Sequence, residues 1–203
     1  MRVQNGRIAV YKYCLKHEGV KMITDEKARF RILECAAQLF AENGVHATSL
    51  ADISIAAQVS KGTLYYHYAT KEKLVYDVCE KHMEHMTDMV YAWLSTVRED
   101  SELKDVLSEL LDILTDDAFH VKLHIALCSE TALHGERLRG LIQEKYSQMG
   151  LLIDLASIRM DIRMHEKPYL KQMFFMALDG FMLHSLMGVS RVDQRQLLEK
   201  ICS

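Results

Sequence analysis

The chain has 203 residues, of which 49% are hydrophobic and 26% are charged, with a formal net charge of −3. These proportions are typical of a folded globular protein and exclude an extended disordered chain. One proline and nine glycines are too few turn residues for an all-β fold, so the composition favours long helices. The five cysteines form no CxxC pair, and no apolar run reaches the roughly 18 residues of a membrane span. We therefore expect a cytoplasmic protein with reduced thiols and no membrane association.

The charge is distributed unevenly along the chain. Residues 1–73 carry 11 basic and 7 acidic side chains, whereas residues 74–203 carry 14 and 21. The contrast suggests two modules with different partners. Because the whole positive excess falls within residues 1–23, it indicates little about residues 24–73 on their own.

Residues 1–23 form a basic leader before the first predicted helix. Met22 follows a Glu-Gly-Val stretch whose codons can read as a purine-rich ribosome-binding sequence. We hypothesise that translation naturally starts at Met22 and that residues 1–21 are not translated, which peptides from residues 2–21 in the native protein would contradict. The alternative is a basic arm that contacts DNA.

The first two helices of the front module have clear boundary signals. An apolar stripe at helical spacing begins after Thr24, and Gly44 is placed to end that helix in a left-handed conformation. The next helix begins with a capping box in which Ser49 and Asp52 bond each other's backbone amides. A three- or four-residue turn follows, and the pattern predicts a helix-turn-helix within residues 24–73.

The third helix contains an unusual cluster of rings in "KGTLYYHYATK". Ser60 is placed to cap it, and Leu64 and Tyr68, four residues apart, must share its buried face. Gly62 lies on the other side, where a glycine costs roughly 1 kcal/mol relative to alanine unless another surface approaches the backbone. A DNA major groove is such a surface. The spacing therefore predicts a DNA-facing set comprising Lys61, Gly62, Thr63, Tyr65, Tyr66, His67 and, after a second cap at Thr70, Lys71.

From Ile32 onward, "ILECAAQLFAENGVHATSLADISIAAQVSKGTLYYHYATKEKL" resembles the DNA-binding domain of TetR-family transcriptional regulators. The resemblance implies a dimer that binds a palindromic operator and a C-terminal helical domain that senses a ligand. By position it implies phosphate contacts from Thr48 and Ser49, base contacts from the start of the third helix, and backbone contacts from Tyr66, His67 and Lys71. Gln58 departs from the family, which usually has glycine there, so we expect a strained positive φ at this turn.

Residues 74–203 predict a helical bundle that binds a ligand and forms the dimer. One long helix over 71–97 would connect it to the front module, and Pro168 is placed in the first turn of a helix that is apolar nearly all round. We expect that helix and a shorter one, 193–201, to form the dimer contact as a four-helix bundle. The predicted interface residues are Phe174, Ala177, Gly180, Phe181, His184 and Leu197.

The effector site is only weakly indicated. Ten of the twelve methionines follow residue 73, and methionine suits adaptable interiors, although ordinary core packing explains them as well. The predicted pocket residues are Met86, Met89, Trp93, His124, Cys128 and Phe174. His120, His124 and Cys128 recur every fourth residue on one helical face, so a metal-responsive regulator that binds an ion through these three residues is the alternative, with His82 and His85 as possible further ligands.

Three classes of function were compared. An enzyme is disfavoured because the chain contains no nucleophile–base pair, phosphate loop or paired acid motif. A purely protein-binding scaffold leaves Gly62 and the tyrosine hydroxyls without a role. The sequence therefore predicts an all-α, ligand-responsive DNA-binding regulator, a repressor that acts as a homodimer on double-stranded DNA and needs no cofactor.

Overall fold

The computed structural model describes residues 24–134, 136–161 and 169–188. The leader, Pro168 and the predicted helix 193–201 with Leu197 lie outside these ranges. Within them every regular element is an α-helix, as the composition predicts. The helices are α1 Thr24–Asn43, α2 Leu50–Ala56, α3 Lys61–His67, α4 Lys71–Leu94, α5 Leu103–Thr115, α6 Ala118–His134, α7 Glu136–Arg159 and α8 Leu170–Met187.

The short helices begin at the predicted caps. Ser49 Oγ accepts a hydrogen bond from the Asp52 amide at 3.1 Å, and the Asp52 carboxylate accepts one from the Ser49 amide at 2.9 Å, which completes the capping box. Ser60 Oγ accepts from the Thr63 amide at 3.0 Å, and Thr70 caps α4 in the same way. Each bond satisfies an amide that has no partner within the helix.

The turn between α2 and α3 contains the strained residue that the sequence indicates. Gln58 has a φ of 52°, the left-handed conformation in which glycine would be unstrained. The turn is held by amide-to-carbonyl bonds from Gln58 to Ile55 and from Val59 to Ser54, both 3.1 Å long. Gly44, after α1, is also left-handed, with a φ of 82°.

Tyr68, which follows α3, helps to join α1 and α3 to α4. Its ring is fully buried beside Leu64, as the spacing predicts, and its hydroxyl donates to Asp77 Oδ2 at 3.2 Å. Arg29 of α1 donates to the same carboxylate oxygen at 2.8 Å. Burial and the Asp77 charge raise the pKa of Tyr68 to about 12, so the phenol stays a neutral donor.

Helix α4 runs without interruption from the front module into the bundle. The predicted boundary between residues 73 and 74 falls in its first turn, where Leu74 is buried. The helix ends at Leu94, three residues before the predicted end, and Trp93 Nε1 donates to the Val106 carbonyl of α5 at 3.1 Å. Its most extensive packing is against α7.

The front module also rests directly on the bundle, because α1 packs along α6. Lys81 of α4 forms an ion pair with Glu34 of α1 and lies over the Phe30 ring, 4.5 Å from its centroid. The front module therefore contacts the bundle through both α1 and α4. Among the helices of the described part of the chain, none is long and apolar enough to span a bilayer.

We expect Ser60→Ala to lower the free energy of unfolding by about 1 kcal/mol, because the Thr63 amide loses its capping acceptor. Urea denaturation followed by circular dichroism measures the change. Ser147→Ala is the matched control, since Ser147 is exposed within α7, where alanine has the higher helix propensity. Equal stability of the Ser60 variant and the wild type would contradict the capping role.

Candidate nucleic-acid interface and sensor site

Helix α3 presents two tyrosine rings to solvent. Tyr65 is 54% exposed and Tyr66 is 75% exposed, although both are large aromatic residues. Lys61 and Gly62 are exposed one turn earlier, and Thr63 is half-buried with its hydroxyl 2.8 Å from Ser60 Oγ. Hydroxyl tips and a lysine on one face form a surface that can bond phosphate oxygens and base edges.

Gly62 has no internal reason to be glycine. A Cβ at this position would meet only Ser60 Oγ, at 3.7 Å, which is an ordinary contact. The open space therefore lies outside the protein, on the exposed face of α3. The backbone at Gly62 is therefore open to approach from outside, and an approaching DNA surface stays a prediction.

A shallow cleft of about 60 Å³ opens between α2 and α3, beside this face. That volume holds only a few water molecules, so the cleft is too small for a drug-sized effector. It is lined by Leu50, Ala51, Ser54, Lys61, Leu64 and Tyr65.

Two of the implied DNA contacts are turned inward in this structure. Thr48 is only 2% exposed, and its hydroxyl donates to the Gly44 carbonyl at 2.9 Å, so it holds the turn after α1 and offers no hydroxyl to a phosphate. The His67 side chain is 6% exposed, and its Nε2 lies 3.3 Å from Asp25 Oδ1 without the geometry of a hydrogen bond. The tertiary fold decides both orientations, and helical spacing does not show them.

The remaining implied contacts lie at helix N-termini. Ser49 is exposed at the start of α2. Lys71 is half-buried at the start of α4, and its Nζ donates to the His46 carbonyl at 3.3 Å. The free amides of a helix N-terminus and a nearby ammonium together favour an anion such as a phosphate.

The predicted pocket residues are buried or half-buried within the bundle. Met86, Trp93 and Phe174 belong to the hydrophobic core, and Met89 and Cys128 are half-buried against it. His124 is also buried, and Cys128 Sγ lies 3.5 Å from His124 Nε2. That these residues form one effector pocket stays a prediction.

His124 is the centre of a polar cluster inside the bundle. Its Nδ1 lies 3.3 Å from His82 Nε2, and its Nε2 lies 3.3 Å from Asp179 Oδ1 and 3.1 Å from the Tyr146 hydroxyl. Tyr146 donates to Asp179 at 2.6 Å. The cluster therefore joins α4, α6, α7 and α8.

Sequence reasoning missed Tyr146 and Asp179. The available signal was a single carboxylate in the otherwise apolar stretch "FFMALDGFML" of α8, since a charge on an apolar helix needs a partner. Burial alone would lower the pKa of His124, but hydrogen bonds to Asp179 and Cys128 and the Asp179 charge raise it to about 9. Burial and the Asp179 charge also raise the pKa of Tyr146, so its hydroxyl remains protonated.

The predicted metal set does not assemble into a metal site. His120, His124 and Cys128 share one face of α6, but His124 Nε2 is engaged with Asp179 and Tyr146. Across residues 24–134, 136–161 and 169–188, no group of three or more ligand-type side chains has the arrangement to hold a metal ion. Helical spacing predicts that the three residues share one face of α6, but it does not determine the direction of each ring nitrogen.

The predicted dimer residues divide by exposure. Phe174 is 1% exposed and belongs to the core of its own chain, so it is not available to a partner. His184 is exposed, and Ala177, Gly180 and Phe181 are half-buried. The exposed apolar residues nearby form what we call the α7–α8 face, which comprises Leu151, Leu155 and Ile158 of α7 with Met173, Met176, Leu183 and Met187 of α8.

The two short capped helices, the exposed face of α3 and the helical bundle define a helix-turn-helix DNA-binding protein. A family model described as "Bacterial regulatory proteins, tetR family" matches residues 32–78. The curated regulator UidR of Escherichia coli K12 is 27% identical over 124 residues, which are 60% of this chain and 60% of UidR. The repressor KstR2 of Mycobacterium tuberculosis H37Rv is 47% identical over 47 residues, 23% of this chain and 24% of KstR2.

Solved structures share the whole fold. A TetR-family member from Streptomyces coelicolor A3 superposes with a TM-score of 0.69 at 24% identity, covering 86% of this chain and 97% of its own. The multidrug-binding protein EbrR, complexed with ethidium, superposes with a TM-score of 0.67 at 24% identity, covering 86% and 98%. Residues 32–78 therefore form a TetR-family DNA-binding domain, and the chain shares the fold of TetR-family proteins of known structure.

We expect Asp179→Asn to flatten the pH dependence of stability between pH 6.5 and 9. A raised His124 pKa adds stability that is complete below the unfolded value near 6.5 and is lost as pH rises through about 9. Because solvent screens the half-exposed Asp179, the effect is on the order of 1 kcal/mol. Urea denaturation at pH 6, 7.5 and 9 measures this effect. Asp112→Asn, at an exposed site of α5, is the control. Parallel curves for wild type and variant would contradict the pairing.

Proposed function

We propose that this chain is a ligand-responsive transcriptional repressor that binds a palindromic operator as a homodimer in the cytoplasm. The observation that carries the proposal is the exposed face of α3, with Lys61, Gly62, Tyr65 and Tyr66 on a helix whose opposite side is locked into the core. That arrangement suits a recognition helix in the major groove. Ser49 and Lys71 are positioned to bond the flanking phosphates.

The proposed dimer uses the α7–α8 face. Leu151, Leu155 and Ile158 recur at helical spacing on α7 and leave large apolar side chains in water. Contiguous exposed apolar surface of this kind marks association sites, and a two-fold axis would make it self-complementary. Two helices per subunit then form the four-helix bundle, with α7 in place of the predicted helix 193–201.

The effector proposal rests on the relatives and on the core. EbrR was solved with ethidium and with proflavin, and a regulator from Saccharomonospora viridis was solved with choline. The bundle of this chain contains aromatic rings from Phe174, Phe175 and Tyr146, beside the Asp179 carboxylate. We propose a flat, apolar effector bound within the bundle, whose binding favours a conformer with altered spacing between the two recognition helices.

Lys71→Ala tests the DNA-binding proposal. We expect weaker binding to every duplex that the wild type binds and a salt slope smaller by about 1, because one phosphate contact releases its counterion. Fluorescence anisotropy with DNA flanking the gene, at several salt concentrations, measures both quantities. Lys122→Ala, which removes the same charge from an exposed site on α6, is the matched control. An unchanged slope in the Lys71 variant would remove this residue from the interface, and failure of the wild type to bind any duplex would overturn the function.

Leu155→Glu tests the dimer. Because a carboxylate pair would face the two-fold axis across an apolar contact, we expect the variant to be monomeric at micromolar concentrations where the wild type is dimeric. Sedimentation velocity separates the two species. Ile55→Glu is the control, since Ile55 is also an exposed apolar residue but lies on α2, outside the α7–α8 face. A Leu155 variant that stays dimeric would place the interface elsewhere.

A further inference from the structure

Four histidine rings lie in a row between α4 and α6, which we call the histidine column: His85 stacks on His120 and His120 on His82, and His124 is tilted by 48° against His82. The ring centroids of His85 and His120 are 4.3 Å apart, those of His120 and His82 are 5.6 Å apart, and those of His82 and His124 are 5.5 Å apart. Rings thus alternate between the two helices. Helical spacing of three residues on α4 and four on α6 produces this alternation.

The two ends of the column touch different parts of the molecule. His124 ends it at the carboxylate of Asp179 on α8. At the other end His85 stacks on His120, and the charge of Glu34 of α1 favours the protonated form of the His120 imidazole. Glu34 is also paired with Lys81 of α4. The column therefore extends from the bundle core to the region where α1 packs on α6 and is paired with α4.

The column leaves ring nitrogens without partners. His82 Nδ1 and His120 Nδ1 are both buried and have no hydrogen-bond partner. In the neutral imidazole, this leaves one buried donor or acceptor without a hydrogen bond, which lowers the stability of the fold. An imidazolium carries a second N–H and a full charge, so these positions cannot accept a proton without movement.

We propose that the histidine column is a pH-sensitive switch in which a proton added to the His85–His120 stack separates α4 from α6 and weakens DNA binding. The proposal rests on the regulatory function proposed above. The raised pKa of His124 keeps it protonated beside Asp179. A proton added to His85 or His120, whose ring centroids are 4.3 Å apart, brings a second positive charge into the column and introduces repulsion between α4 and α6. Because α1 packs on α6, movement of α6 also shifts the recognition helices.

The charges around the stack support a response below neutral pH. Burial lowers the pKa of His85 and of His120, and burial together with the neighbouring histidines lowers that of His82. On α4, Asp88 favours the charged form of His85 and Lys81 opposes it. Asp117, ahead of α6, favours the charged form of both His85 and His120.

The other helices add little charge to the stack. From α1, Glu34 favours the charged form of His120. Helix α7 contributes the Tyr146 hydroxyl at the His124 end. The carboxylates of α5 that belong to Asp105, Glu109 and Asp112 are all exposed to solvent, and none is among the charges that shift the pKa of a column histidine. His82, His85 and His120 are thus neutral near pH 7.5, because their pKa values are lowered, whereas the raised pKa of His124 keeps it protonated. Acidification adds a proton to the His85–His120 stack and favours the separated conformer by linkage.

DNA affinity at two pH values tests the switch. The probe is a duplex selected from a random pool by the full-length protein, and anisotropy is measured at pH 7.5 and 5.5 at one ionic strength. We expect the wild type to lose about tenfold in affinity at pH 5.5, within the usual range of allosteric coupling, and His120→Gln and His85→Gln to lose about twofold. His46→Gln is the control for protons near the DNA face, and we expect it to behave as the wild type.

Hydrogen exchange of the free protein is the second measurement. After correction for the intrinsic rate, we expect amides of α1 and α6 to exchange faster at pH 5.5 in the wild type but not in His120→Gln. Failure of the wild type to bind any duplex would overturn the proposed regulatory function. Hydrogen exchange alone would then test whether protonation separates α4 from α6. Equal pH dependence in the wild type and both column variants, or a dependence removed only by His46→Gln, would overturn the switch.

Discussion

The shared carboxylate of Asp77 is the contact on which the arrangement of the DNA-binding module depends. Arg29 of α1 and the hydroxyl of Tyr68, at the end of α3, both donate to one oxygen of this residue, which belongs to α4. Three helices are thereby fixed at one point, half-buried and away from the exposed tyrosines. The Asp77 carboxylate accepts hydrogen bonds from the Arg29 guanidinium and from the Tyr68 hydroxyl, and both bonds are directional. They therefore set the orientation of α3 as well as its position.

That constraint explains why α3 can expose so much aromatic surface. Leu64 and Tyr68 bury one side of a seven-residue helix, which is too short to be stable by itself. The Ser60 cap, the buried side and the Asp77 contact together hold it. The opposite side is then free to expose Tyr65 and Tyr66, which are not needed for the core of the module. In the proposed function, stability and DNA recognition use different faces of the same short helix.

Local signals predicted the front module well and the bundle only in outline. Caps at Ser49 and Ser60, and the positive φ of Gln58, follow from interactions within a few residues, which a sequence displays directly. The resemblance implied a phosphate contact for Thr48, whose hydroxyl instead bonds the Gly44 carbonyl of the preceding turn. The spacing placed His67 with the DNA-facing set, but its ring is turned toward Asp25, 42 residues earlier in the chain. The polar cluster shows the same limit, since His124 and Asp179 are 55 residues apart and only packing brings them together. Side-chain direction in the bundle is a tertiary property, and a helical pattern indicates only the face.

The uninterrupted course of α4 has a mechanical consequence. A helix of 24 residues is about 36 Å long and resists bending, so any rotation of one end would displace the other end as part of the same rigid body. A tilt of about 5° at its Trp93 end displaces its Lys71 end by about 3 Å. This is comparable to the rise of one base pair, so small rearrangements deep in the bundle are geometrically amplified to the scale on which a duplex is read.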